Sequence, residues 1–293
     1  MRYLDLTLDS HWTFGAHFER LIPSVEETAN ALGSLLPRLG GPGVRVRRLY
    51  ASVVREKLLY GASIWAEDVV TNSRNLRAIR RLHRAVAIRI TRVFRTISAA
   101  VLAGLPPFEL QALRCREIYL RTRSLLGGVG AMDANAEAQA RRELLGRWRA
   151  GLDTRTGASR LRDLEAVLPN WDVWLDGDAP PLTHRVTQLL TGHGCFGEYL
   201  PRIGKGATAH CHHCGARVDS AQHTLENCPT WAAPRHSLTG EIGYDLSPPA
   251  ILEALLTSER GRNAVASFCE LVILRKDVAE RVRERDFHPE RIG

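Results

Sequence analysis

Long apolar runs are missing from this 293-residue chain. None approaches the roughly 18 to 20 residues that a membrane-spanning helix needs, and the N-terminus passes to Arg2, Asp5 and Asp9 without a signal-peptide core. The expectation is an intracellular protein with no membrane partner. Lysine is scarce: Lys57, Lys205 and Lys276 are the three among 40 basic residues, and arginine carries the rest. Acids are missing from one long stretch, with none between Asp68 and Glu109. No glycine-rich phosphate loop joins a strand to a helix, and no Gly-x-Ser-x-Gly elbow occurs. The acidic pairs Glu26-Glu27 and Glu67-Asp68 are not set at strand ends, where a two-metal nucleotidyl-transfer site would require them. No catalytic residue can therefore be named. Internal repeats and low-complexity tracts are absent as well.

What is present begins with cysteine. Three of the six cysteines fall within 18 residues, in the run Cys211-x2-Cys214-x8-His223-x4-Cys228. Two cysteines two residues apart can supply two ligands of a tetrahedral zinc from one tight turn, and Gly215 provides the reversal after it. His223 and Cys228, about one helical turn apart, complete a closed shell that leaves no position for water. That argues for a structural ion. His210, His212 and His213 compete as ligands, while unrelated buried thiols and surface histidines are the duller alternative. In a reducing compartment Cys115, Cys195 and Cys269 are expected as buried free thiols.

Charge is unevenly placed. Residues 44–123 hold 17 basic residues against 5 acidic ones, an excess of 12 in a chain whose total is +8, so the remainder is net acidic. Such a block is the footprint of a polyanion-binding surface, and the planar guanidinium suits bidentate phosphate contact. A GC-rich coding sequence would also favour arginine, but it does not explain the clustering.

Tyr3 to Asp9 alternates apolar and polar residues as a half-buried strand does. Its partner is either a weak hairpin near Val44–Val46 or a sheet absent from the chain; the second is preferred and implies a fragment. Helices are predicted over Ser24–Leu36, Val44–Trp65, Asn72–Ile97, Phe108–Leu126, Ala134–Ala150, Leu182–Leu190, Ala250–Leu256 and Gly261–Arg285, punctuated by Gly40-Gly41-Pro42-Gly43, Gly127-Gly128-x-Gly130 and Pro180-Pro181. Leu49, Val53 and Leu59 are read as the buried face of the second helix. In the third, Leu76, Ile79, Leu82, Val86, Ile90, Val93, Phe94 and Ile97 share one arc, and Arg74, Arg77, Arg80, Arg81, Arg84, Arg92 and Arg95 the other. A solvated face normally mixes signs; unrelieved like charge repels itself unless something anionic covers it. Val265, Phe268, Leu271 and Val272 are expected on the inner side of the last helix, with Cys269 at the edge of that face. Trp148, Trp171 and Trp174 are expected as core anchors. His193, between two glycines, is read first as a turn residue.

Several phrases together resemble the C-terminal part of non-LTR retrotransposon reverse transcriptases, in particular the insect clade that inserts into ribosomal RNA genes or telomeric repeats. They are Tyr3-Leu4-x-x-Thr7-Leu8-Asp9, Phe14 and His17, Tyr60-Gly61-Ala62-x-x-Trp65, Leu190-Thr191-Gly192-His193-Gly194-x-Phe196, and the Cys-His run ending in Cys228-Pro229-x-Trp231 with Arg235. The chain departs from the pattern at Asp5 and Leu6, where Gly and Val are usual. The resemblance implies a mostly α fold: a helical, thumb-like bundle with a short N-terminal strand remnant, then a small CCHC zinc-binding module and C-terminal helices. Its divisions are a palm remnant (1–22), an Arg-rich thumb (23–130), a helical linker domain (131–200), the zinc module (201–240) and the terminal helices (241–293). It implies a structural Zn2+ on Cys211, Cys214, His223 and Cys228, and contact of Arg74, Arg77, Arg81, Arg84, Arg92 and Arg95 with nucleic acid. The partners would be an RNA template and a DNA target or primer-template duplex, in a nuclear protein with a cytoplasmic ribonucleoprotein stage, with the catalytic palm outside the chain. The alternatives are a stand-alone zinc-dependent RNA- or DNA-binding protein, or a protein-interaction module whose Arg face meets acidic protein.

Overall fold

The computed structural model describes residues 1–34, 44–91, 96–126, 134–156, 161–176 and 182–287. The glycine and proline punctuation at 40–43, 127–130 and 180–181 lies outside them, as do Arg92, Val93, Phe94 and Arg95. The architecture is mostly helical, and the chain divides into two compact units, Met1–Ser159 and Arg160–Gly293. No described helix is long and apolar enough to cross a membrane.

The first unit opens on a hairpin rather than one strand. β1 (Arg2–Tyr3) and β2 (Leu6–Thr7) pair antiparallel, Arg2 opposite Thr7 and Tyr3 opposite Leu6. Leu4 and Asp5, both with positive φ (44° and 62°), make the turn. A two-residue hairpin turn asks for that backbone at both central positions. The predicted strand thus finds its partner within its own length, and Val44–Val46 begins a helix instead of pairing with it. Asp9 then turns the chain: its carboxylate accepts from the His11 and Thr13 N–H groups at 2.9 and 3.1 Å.

Helix α1 (Gly15–Ser34) starts nine residues earlier than the sequence suggests and runs through Pro23. The lost backbone bond is tolerated because Phe18, Ile22, Val25 and Ala29 bury a continuous face. Helix α2 (Val44–Leu59) stops at Gly61, whose φ of 69° and close approach to Leu6 admit no side chain; a Cβ there would lie 2.6 Å from the Leu6 Cδ2. Helix α3 (Ala62–Thr71) follows, then α4 (Ser73–Thr91), capped by Asn72, which accepts from the Arg74 N–H at 3.1 Å. Helices α5 (Thr96–Leu102), α6 (Phe108–Leu126) and α7 (Ala134–Thr156) complete the bundle, with α6 packed on α3 and α7. The core gathers around Trp65, which meets Phe18 edge-on at 5.0 Å, and around His83, which meets Phe108 in the same way.

The second unit contains α8 (Arg162–Val167), α9 (Trp171–Asp176), α10 (His184–Thr191), α11 (Ala232–Ile242), α12 (Pro248–Thr257) and the long α13 (Glu259–Phe287). Helices α10, α11 and α12 pack on α13, and α8 packs on α12. Trp148 in the first unit and Trp171 and Trp174 in the second are all buried.

Two helix faces differ from the sequence reading. In α2 the buried residues are Tyr50, Ala51, Val54 and Leu58, while Leu49 and Val53 are exposed and Leu59 is half-buried. Apolar residues lie on both sides of this helix, so spacing alone defines two stripes one residue apart, and packing against α1 and α4 selects one of them. In α13 Val265, Phe268, Cys269, Val272 and Ile273 are buried and Leu271 is not. The α2 result gives a direct check. Leu58→Ala should destabilise the chain by about 3 kcal/mol, as truncation of a fully buried leucine does, whereas Leu49→Ala should stay within about 0.5 kcal/mol, both read by chemical denaturation.

Candidate metal centre and arginine face

In the second unit Cys211, Cys214, His223 and Cys228 converge, and their four donor atoms all lie within 4.8 Å of one another. Three local structures bring them there. Cys211 to Gly215 form a tight turn in which the Gly215 N–H donates to the Cys211 carbonyl at 2.7 Å and the Cys211 N–H to the Ala216 carbonyl at 2.8 Å. Gly215 closes the turn at φ 78°, where glycine carries no steric cost. His223 and Cys228 bracket a single π-helical turn, His223–Asn227, closed by the Cys228 N–H donating to the His223 carbonyl at 2.8 Å. In an α-helix, residues five apart lie about 140° away from each other round the axis. The wider i→i+5 turn brings both back to one side, which is how an x4 spacing delivers two ligands.

The donor set fits a tetrahedral ion. The Cys211 and Cys228 sulfurs are 4.0 Å apart, and the Cys214 Sγ is 3.3 Å from the His223 Nε2. Tetrahedral zinc with ordinary bond lengths needs roughly 3.8 Å between two sulfurs and roughly 3.5 Å between sulfur and nitrogen. Burial pushes the Cys211 thiol up to about 12. Burial also raises Cys214, but N–H donation from Ala216 and contacts with the Cys211 and Cys228 thiols outweigh it and leave Cys214 below its ordinary value. Burial depresses His223, keeping its imidazole in the neutral form that can donate to a metal. Of the rival histidines, none joins the cluster: the His213 ring lies 4.9 Å from buried Trp231, and His210 and His212 are exposed.

The Thr191-Gly192-His193-Gly194 phrase makes a turn with positive φ at both glycines, 68° and 126°. His193 stacks on Tyr199 at 4.6 Å. Gly197 then passes so close to the cluster's own strand of chain that a Cβ would lie 2.8 Å from the carbonyl oxygens of Ala209 and His210. Only a hydrogen fits there.

In the first unit Arg74, Arg77, Arg81 and Arg84 are exposed along α4, opposite buried Ile79, Leu82, Val86 and Ile90. The face is less uniformly cationic than the sequence implies, because acids reach it from other helices. Glu19 of α1 pairs with Arg74 at 3.2 Å, and the largely buried Glu109 of α6 pairs with the Arg80 Nε at 2.8 Å. Other members of the basic block join helices together: Arg116 pairs with Glu67 of α3, and Arg114 and Arg121 with Glu137 and Glu143 of α7, each within 2.9 Å. Arg77 and Arg81 have no ion pair among the described residues. Arg92 and Arg95 lie outside the described residues.

No protein-family model matches the chain, and no solved structure matches it significantly. Two curated proteins do. One is the 115 kDa protein of type-1 retrotransposable element R1DM of Drosophila melanogaster, 27% identical over 299 aligned residues. The other is the retrovirus-related Pol polyprotein from type-1 retrotransposable element R1 4 of Nasonia vitripennis, 25% identical over 283. These alignments take in 94% and 92% of this chain. The chain is related to R1-type retrotransposon polyproteins. It spans 28% of the length of the Drosophila relative and 70% of the Nasonia one.

Around the cluster of this R1-related chain, residues that the spacing motif does not contain hold the ligands in place. Asp219 is buried, and both its oxygens accept from the Lys276 ammonium of α13, at 2.7 and 2.8 Å. It also accepts from the Gly197 N–H at 3.0 Å and from the Thr224 hydroxyl at 3.4 Å, inside the π turn. Lys276, itself 1% exposed, sits 5.5 Å from the Phe196 ring centroid. Arg235 donates to the carbonyls of Leu225 and Cys228, closing the C-terminal end of the π turn. The half-buried Arg162, lowered by burial to about 10, donates to the Leu189 carbonyl at 3.0 Å and to Gln222 next to His223. The one available signal was the rarity of lysine, since a buried Lys stands out in a chain that otherwise uses Arg. Lys276→Met should leave the Asp219 charge uncompensated and cost about 3 to 5 kcal/mol in the unfolding free energy of the whole chain.

Proposed function

We propose that the chain is the C-terminal, nucleic-acid-holding part of a non-LTR retrotransposon reverse transcriptase acting in target-primed reverse transcription, with catalysis carried by a palm outside it. The observation that carries this reading is the alignment with R1-element proteins along almost the whole chain, coinciding with a Cys3His cluster of tetrahedral dimensions. In this reading residues 1–22 are a remnant of the polymerase palm and 23–130 the Arg-rich thumb. Arg77 and Arg81, together with Arg74, Arg84, Arg92 and Arg95, hold the phosphates of a primer-template duplex. Such contacts fix register and orientation without reading sequence.

Residues 201–240 in this reading are a Zn2+-stabilised module that grips template RNA or target DNA, between a helical linker domain (131–200) and the C-terminal helices (241–293). The ion would supply the positive charge that lets the buried Cys211 ionise. With four protein ligands its role is structural. The protein works in the nucleus after a cytoplasmic ribonucleoprotein stage. Carboxylates already meet α4 at Arg74 and Arg80, which keeps an acidic protein as the competing partner of this face.

Two measurements test the reading. Arg77→Ala and Arg81→Ala should each reduce the magnitude of the salt-dependence slope of duplex binding by about one unit. Unchanged slopes would remove the phosphate role, and absence of binding to any polynucleotide at low salt would favour the acidic-protein partner. Purified chain should carry one zinc per molecule. Chelation should alter the fluorescence of Trp231 and unfold residues around 211–228 while the helices of the first unit keep their circular dichroism; a metal-free chain with this region intact would defeat the zinc assignment.

A further inference from the structure

Helix α13 is apolar on two opposite sides, and the fold uses one of them. Val265, Phe268, Cys269, Val272 and Ile273 are buried, and α10, α11 and α12 pack on this helix. Leu271, Leu274, Val278 and Val282 stand out instead, each with 40 to 52% of its surface exposed. At about 100° per residue these four fall within roughly 80° of one another, on the far side of the helix from the buried set. They form a continuous stripe roughly 17 Å long, the length of about three helical turns. Single exposed apolar residues are ordinary on a protein surface, whereas a contiguous row marks an interaction site.

The charges around the stripe say what covers it. Every acid from 270 to 284 is already engaged within the unit: Glu270 pairs with Arg185 of α10, Glu280 with Arg283, and Glu284 with Lys205 at 3.2 Å, while the half-buried Asp277 lies against Cys195. Arg275, Arg281 and Arg285 are exposed and have no ion pair among the described residues. Arg285 lies within the arc of the stripe, and Arg275 and Arg281 border it on opposite edges. A second copy of the chain does not fit this face. Parallel pairing sets each arginine against its own counterpart, and antiparallel pairing with Leu271 opposite Val282 offers the arginines no free carboxylate. A nucleic-acid strand would meet the guanidinium groups but leave four aliphatic side chains, which neither donate nor stack, against its phosphates.

We propose that this face of α13 receives an amphipathic helix of a partner protein whose apolar row is flanked by carboxylates. The row packs on Leu271, Leu274, Val278 and Val282, and acids on its two flanks meet Arg275 and Arg281. Docking of one helix on another uses anchors at this spacing, and complementary charge at the edges selects the partner and its orientation. The inference is independent of the nucleic-acid reading, which assigns no contact to these residues.

The test titrates the full chain, by fluorescence anisotropy, with a labelled synthetic helix of about three heptads carrying leucine at a and d and glutamate at e and g, whose like-charged flanks keep it from pairing with itself. A counterpart with lysine at e and g is the control. The glutamate peptide should bind saturably, and the lysine peptide at least about tenfold more weakly. Leu274→Ser and Val278→Ser, both at exposed positions and checked for unchanged circular dichroism, should each weaken the glutamate peptide at least about tenfold. Arg281→Gln should weaken it and reduce its salt dependence. Equal binding of the two peptides, binding of neither, or undiminished affinity in Leu274→Ser overturns the proposal. So does a dimer of the chain alone that Leu274→Ser dissociates, which would give the face to a second copy, or saturable binding to phosphatidylserine vesicles without binding to the glutamate peptide, which would give it to a lipid surface. Leu274→Ser should bind duplex as the unaltered chain does, so a failure here is distinguishable from a failure of the nucleic-acid reading.

Discussion

The carboxylate of Asp219 sits where four separate pieces of the second unit meet, and most of that unit's order follows from satisfying it. Removed from water, it requires a compensating charge and donors for its remaining lone pairs, and each comes from a different place in the chain. The ammonium comes from α13, a backbone N–H from Gly197 after the Thr-Gly-His-Gly phrase, and a hydroxyl from Thr224 in the π turn. Its own N–H donates to the Ala209 carbonyl at 2.7 Å, ahead of the first cysteine. The loop bearing the sulfurs is thereby tied to the helical body at the residues between its two halves. A loop supported in this way has the directions of its cysteine and histidine side chains set by the surrounding packing, as outer-shell partners commonly do for metal sites.

The first unit follows a different logic. Its arginines outnumber its acids, and several are spent in joining helices, while α4 keeps Arg77 and Arg81 exposed and without an ion pair among the described residues. Surface ion pairs of this kind add little stability individually. Their effect is on the distribution of charge: Glu19 and Glu109 neutralise the flanks of the helix and leave Arg77 and Arg81 between them. The identity of the basic residue matters in both units. Guanidinium forks suit carboxylates on neighbouring helices, whereas the compact ammonium of Lys276 fits between both oxygens of one buried carboxylate beside an aromatic ring.

Legibility from sequence tracked the range of the interaction. The convergence of Cys211, Cys214, His223 and Cys228 was readable because their spacing is local and their chemistry narrow, and the buried arc of α4 because its apolar residues fall on one side only. The phase of α2 was not, since that helix is apolar on two sides and its neighbours make the choice. The hairpin was missed because Leu4 and Asp5 are unusual turn residues, with no Asn-Gly or Asp-Gly to announce the reversal. The π turn left no periodic trace either, being a single turn long. Asp219 and Lys276 are 57 residues apart, and nothing in either neighbourhood points to the other.

That separation has a consequence for how the molecule is made. Synthesis runs from the N-terminus, so all four ligands leave the ribosome well before α13 is complete. A nascent loop could gather its sulfurs around an ion at that stage, while Asp219 would still be hydrated and Gly197 still apart from Ala209. The Asp219 contact is complete only when the Lys276 ammonium of α13 arrives. Closing so long a segment costs only slightly more entropy than closing a short one, which lets the final order of the Cys-His loop wait upon a helix that begins only at Glu259.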